Sequence, residues 1–124
     1  MTPVTASTAP AVPWPQPDSS LYPALADAIA GTVTLPGDPA YDTGRRVWNG
    51  MVDVQPAAVI RALTPADVAP VLAFARRTGQ PLAVRGGGHN VAGNGTVDGG
   101  IVLDVGGLRS VEVDPIAQTV TAGG

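Results

Sequence analysis

Residues 57–84 constrain the fold most, because their hydrophobic pattern reads strand, helix, strand. Ala57 to Leu63 (AAVIRAL) is a short apolar run of the length and type of a buried strand. Thr64-Pro65-Ala66-Asp67 then carries helix-start chemistry, with Thr as N-cap, Pro at the first helical position and Asp in a capping-box place. Val68, Val71, Leu72 and Ala75 follow the i, i+3, i+4, i+7 spacing of one helix face. Pro70 falls inside that pattern and is expected to forfeit a backbone hydrogen bond there. Gly79 is placed to end the helix, and Pro81 forbids its resumption. A second strand starts at Leu82 to Val84. This order predicts an α/β fold containing a βαβ unit, its strands parallel and its crossover right-handed.

The flanks are read the same way. Residues 1–18 hold five of the 13 prolines, alternating with Thr, Ala and Ser, and are expected to form a disordered or polyproline-like tail. Ser19 and Ser20 can cap a helix running to about Ala30, with Leu21, Leu25 and Ile29 at four-residue spacing and Gly31 as its stop. Pro36-Gly37 and Asp38-Pro39 mark turns. Thr43 to Met51 fits neither period. Further strands are expected at Ile101–Val105, Val111–Val113 and Thr119–Thr121, separated by turns at Gly106-Gly107 and Asp114-Pro115. The sequence stops at Ala122-Gly123-Gly124 directly after a strand, which reads as a cut through a loop. Residues 19–124 are accordingly expected to be a partial domain.

Composition removes several functions. All seven basic residues are Arg, so a Walker-type phosphate loop and a pyridoxal Schiff base, both of which need Lys, cannot be built. The chain has no Cys, which excludes disulfides, thiolate catalysis and Cys-ligated metals in this stretch. A net charge of −3 speaks against a nucleic-acid partner. No run approaches the roughly 18 apolar residues of a membrane span. A basic segment followed by an apolar one is missing from the N-terminus, so the expected location is cytoplasmic.

The chemistry concentrates in Arg85-Gly86-Gly87-Gly88-His89-Asn90-Val91-Ala92-Gly93-Asn94-Gly95, which leaves the C-terminal end of a predicted parallel strand. Ligands of α/β sheets sit at such ends. Consecutive glycines let successive N–H groups turn toward one anion as a nest, and Arg85 adds a charge suited to phosphate. The Rossmann spacing is absent, because Val91 stands where that pattern needs Gly. The plain alternative is a glycine-rich surface turn without a ligand. His89 is the one His of the chain and could serve as nucleophile, base or metal ligand beside the glycines, or as a structural residue. A metal site would lack clustered carboxylates, and Ser110 lacks the GxSxG setting of a hydrolase. Arg45, Arg46 and Trp48 read as packing and surface residues, Asp98 as a turn residue, and Asp104 as a strand-end residue bonding to backbone.

Arg85-Gly86-Gly87-Gly88-His89-Asn90, with Val97-Asp98-Gly99-Gly100-Ile101-Val102-Leu103-Asp104 after it, resembles the FAD-linked oxidases of the berberine-bridge-enzyme and 6-hydroxynicotine-oxidase type. These share the PCMH-type, or vanillyl-alcohol-oxidase, fold. The likeness covers roughly residues 41 to 124. It takes in Trp48-Asn49, Pro56-Ala57, Thr64 to Ala75, and Val113-Asp114-Pro115. It implies that the chain is the first subdomain of such a domain, that its glycine loop holds the FAD pyrophosphate, and that His89 is joined to the flavin 8α-methyl group. Gly86, Gly87, Gly88, His89, Asn90 and Gly93 are then the cofactor contacts, beside Arg85. The implied reaction is hydride transfer from a small-molecule substrate to FAD, with dioxygen as acceptor. A second reading stays open, that of an inactive fragment or non-catalytic module that binds no flavin stably.

Overall fold

The computed structural model describes residues 14–123. After a 3₁₀ turn at Ser19–Leu21 come α1 (Tyr22–Ala28), β1 (Thr32–Thr34), α2 (Tyr41–Gly44) and β2 (Ala58–Arg61). A second 3₁₀ turn, Pro65–Asp67, leads into α3 (Val68–Thr78). Four strands follow: β3 (Leu82–Arg85), β4 (Ile101–Asp104), β5 (Val111–Asp114) and β6 (Thr119–Ala122).

One sheet has the order β1-β2-β4-β3, and β5 and β6 form a separate antiparallel hairpin. The expected βαβ unit is present, but β2 and β3 do not pair with each other. β4 lies between them and is parallel to both, with Ala58 and Leu82 each opposite Ile101. Residues 86–100 therefore form the crossover from the end of β3 to the start of β4, and they do so without a helix.

Strand alternation divides the sheet into two covered faces. Ala58, Ile60, Ile101 and Leu103 meet Tyr22 and Leu25 of α1 and Val71, Phe74 and Ala75 of α3 in the main core. The Tyr22 and Phe74 rings lie 5.2 Å apart. Phe74, Ile60, Ile101 and Leu103 are essentially fully buried, each contributing about 1.5–3 kcal/mol relative to exposure. The opposite face carries Val59, Val102, Ala83 and Arg85, all buried. The stretch around α2 lies over that face, with the Tyr41 hydroxyl donating to the Pro56 carbonyl at 2.6 Å.

Local chemistry explains the elements. The capping box expected at Thr64 and Asp67 forms. The buried Asp67 carboxylate accepts from the Leu63 N–H at 2.8 Å, the Thr64 N–H at 3.2 Å and the Ala30 N–H at 2.8 Å, which ties the end of α1 to the start of α3. Pro70 is tolerated because it is the third residue of α3, where an N–H has no partner within that helix. Gly79 closes α3 at φ 67°, the left-handed conformation that glycine adopts without a Cβ penalty.

Three differences from the sequence expectations stand out. The cap of the first helical segment is Asp18, whose carboxylate accepts from the Ser20 N–H at 2.9 Å, and neither Ser19 nor Ser20 takes that role. β1 arises where no strand was expected, because Thr32–Thr34 find an antiparallel partner in β2. Most of the expected tail lies outside the described residues. Its last part, from Trp14, touches the body: Gln16 donates to the Gly99 carbonyl at 3.2 Å, and Gln80 donates to the Pro15 carbonyl.

Candidate cofactor site

Register sets the position of the site. Arg61 of β2 and Arg85 of β3 both stand opposite Asp104 of β4, so the C-terminal ends of the three parallel strands are level. The segments leaving β3 and β4 rise from one edge, where α/β sheets receive ligands.

The glycine segment leaves β3 there. Among the described residues, no acceptor takes a hydrogen bond from the backbone N–H groups of Gly86, Gly87, Gly88, His89 and Asn90. A run of unpaired donors is what an anion nest requires. Gly88 has φ 72°, and a Cβ on Gly87 would come within 3.1 Å of the His89 ring. Two cavities flank the segment and share Gly86 and Gly87. One, of about 440 Å³, is closed on its other side by Gly106, Leu108, Arg109 and Ser110. The second, of about 280 Å³, is lined by Gly88, His89, Asn90 and Asn94.

Arg85 is oriented differently from the sequence expectation. It is 6% exposed. Its guanidinium donates to the Asp104 carboxylate at 2.9 Å, to the Gly44 carbonyl at 2.7 Å and to the Arg46 carbonyl at 3.2 Å. These partners draw the charge inward, so it is not the charge offered to phosphate that was expected. What Arg85 gives the loop is its stem: Cβ positions built on Gly88 and Gly95 would lie 3.5 and 3.6 Å from its side-chain carbons. Asp104 bonds to backbone as expected, accepting from the Gly106 N–H at 2.8 Å, and holds Arg85 as well.

Asn90 and Gly93 shape the far part of the loop. The Asn90 side chain accepts from the Asn94 N–H at 3.1 Å, and the Asn90 carbonyl accepts from the Gly93 N–H at 3.1 Å. Gly93 has φ 80° and lies so close to Val52 that a Cβ would approach it to 2.9 Å. Asp98 is the turn residue expected, accepting from the Gln55 N–H at 2.9 Å.

His89 is exposed. Its ring stacks on Trp48, with centroids 5.7 Å apart and planes at 26°. Sequence alone assigned Trp48 to packing or surface, so this contact is new. Arg45 is a partly buried ion-pair residue, bonded to the exposed Asp42 at 3.0 Å and Asp53 at 2.5 Å. The hydrogen bond from Arg45 holds the Asp53 carboxyl below its ordinary value. The second wall of the larger cavity, Gly106 to Ser110, was also missed. Gly106-Gly107 read as a turn, and the signal was the glycine pair itself: a Cβ on Gly107 would meet the Ala62 carbonyl at 2.6 Å.

A family model described as an FAD binding domain matches residues 56–124, which include the whole glycine segment. The (R)-6-hydroxynicotine oxidase of Paenarthrobacter nicotinovorans is 36% identical over 97 residues, covering 78% of this chain and 21% of that protein. An FAD-linked oxidoreductase of Aspergillus fumigatus is 36% identical over 102 residues, covering 81% of this chain and 22% of its own length. Among solved structures, 6-hydroxy-D-nicotine oxidase from Arthrobacter nicotinovorans superposes with a TM-score of 0.74 at 36% identity, over 77% of this chain and 21% of that one. Physcomitrella patens BBE-like 1 superposes with a TM-score of 0.73 at 28% identity, over 82% and 22%. The chain thus spans 21–22% of the length of these relatives. With its glycine segment inside the matched region, the chain belongs to the FAD binding domain family.

Proposed function

We propose that this chain holds FAD at the β3–β4 crossover, with the diphosphate on the N–H groups of Gly86 to Asn90 and the flavin joined covalently to His89. The run of unpaired N–H donors between two cavities carries the proposal. The residues fit the group. The donors suit a diphosphate, Gly87 leaves room for the His89 ring, and that exposed imidazole stands in the same segment. Arg85 acts from beneath, fixing the loop through Asp104, and Asn90 and Gly93 close its far turn.

Bound there, the flavin would supply two-electron redox chemistry for the oxidation of a small organic substrate by hydride transfer, with dioxygen as the final acceptor. The names of the relatives, an oxidase among them, support this reading. His89 would hold the flavin through an imidazole nitrogen bonded to its 8α carbon, the two hydrogens which that bond displaces passing to dioxygen as hydrogen peroxide.

Titration of the full chain with FAD, followed by fluorescence, tests the loop. Gly87→Val, which places carbon against the His89 ring, is expected to weaken binding by about tenfold or more, ~1.4 kcal/mol. Equal affinity of the two proteins would remove the loop from the site. A second reading is a module that keeps the fold and holds no flavin. It predicts no saturable binding by the unmutated chain.

A further inference from the structure

We propose that Trp48 is a positioning residue for His89, holding the imidazole in the orientation from which it meets the flavin. The inference rests on the FAD reading above and extends it to a residue outside the glycine loop.

Trp48 is 68% exposed, so core burial does not explain where it sits. Its neighbours do. The Trp48 N–H donates to the Gly88 carbonyl at 2.9 Å, and the Asn49 side-chain amide donates to the Val91 carbonyl at 2.9 Å. These two bonds grip the loop on either side of His89 and Asn90. Between them the indole stacks on the imidazole at 5.7 Å. Val47 packs against the same point, its Cα lying 3.8 Å from where a Gly88 Cβ would be. Residues 47–49 thus form a clamp over the loop, and Trp48 is the part of it that touches His89. An exposed imidazole otherwise samples several rotamers, and a reaction that needs one of them slows in proportion. Stacking on a ring whose backbone is itself fixed selects among those rotamers.

The test compares the full-length wild type, Trp48→Leu and Trp48→Phe. His89 is the one His of the chain, so its ring protons give a single assignable set of NMR signals. The wild type should show them displaced upfield by the indole ring current. Trp48→Leu should return them to the position seen in the denatured chain, and Trp48→Phe should leave a smaller displacement. Incubated with FAD, Trp48→Leu should form the denaturation-resistant adduct about tenfold more slowly, and Trp48→Phe should recover most of the rate.

Unchanged His89 signals in Trp48→Leu, or an unchanged rate of adduct formation, would overturn the role of Trp48. Should Trp48→Leu fail to fold, the graded shift between wild type and Trp48→Phe decides the same question. Absence of any adduct in the wild type would instead strike the covalent-flavin reading, and the NMR comparison would still decide whether Trp48 holds the ring.

Discussion

Arg85 shows how a single residue can be recognised by type and still misjudged in role. Beside three glycines at a strand end, an arginine reads as a phosphate ligand. In the fold it shares a sheet face with Ala83, Val59 and Val102 and pairs with Asp104, because strand alternation and the register of β4 decide which way it points. Neither the neighbour nor the register is written near Arg85 in the sequence. Its side chain and that of Asp104 are 7% and 14% exposed, so Arg85→Met leaves a largely buried carboxylate without its charge partner and two carbonyls without their arginine donor. Chemical denaturation is expected to show a loss of about 3–5 kcal/mol. A loss below ~1 kcal/mol, the scale of an exposed pair, would contradict the buried support role. The place of His89 and the glycines, directly after β3, was legible by contrast, because the strand and the glycine run that ends it are both local signals.

At the scale of elements, the β2–α3–β3 unit was legible because every signal for it is local: capping residues, a helical stripe and a glycine stop. The insertion of β4 between β2 and β3 was not, because strand order depends on contacts far apart in the chain. The same holds for β1, which exists through its pairing with β2. Asp67 links these elements and gives them a pH dependence. Burial pushes its carboxyl up, but hydrogen bonds from the N–H groups of Leu63, Ala30 and Thr64 outweigh that and hold it below its ordinary value of 3.8. A carboxyl whose folded-state value is depressed contributes stability that is complete above the unfolded value and is lost as pH falls through the folded one. The melting temperature should therefore drop as pH is lowered below about 3.8. Asp67→Asn, which cannot accept all three bonds, should melt lower near neutral pH and show a shallower acid dependence. An acid dependence equal to that of the wild type would show that Asp67 does not carry this linkage.

At the scale of the molecule, the described residues divide into a sheet covered on both faces and a hairpin that is not. Val111, Val113 and Val120 of β5 and β6 are each more than 60% exposed. The hairpin edge still matters to the site, because Ser110 and Gly123 beside it line the cavity that Gly86 and Gly87 share. No helix among the described residues is long and apolar enough to cross a membrane. The level strand ends, the unpaired N–H groups and the Trp48–His89 stack support the central proposal, that His89 carries the flavin. The most direct measurement is the intact mass of the full chain, expressed with FAD available and then denatured. The expected result is an increase by one FAD that disappears in His89→Ala. A bare-chain mass from protein that was yellow before denaturation, or an adduct that persists in His89→Ala, would contradict it.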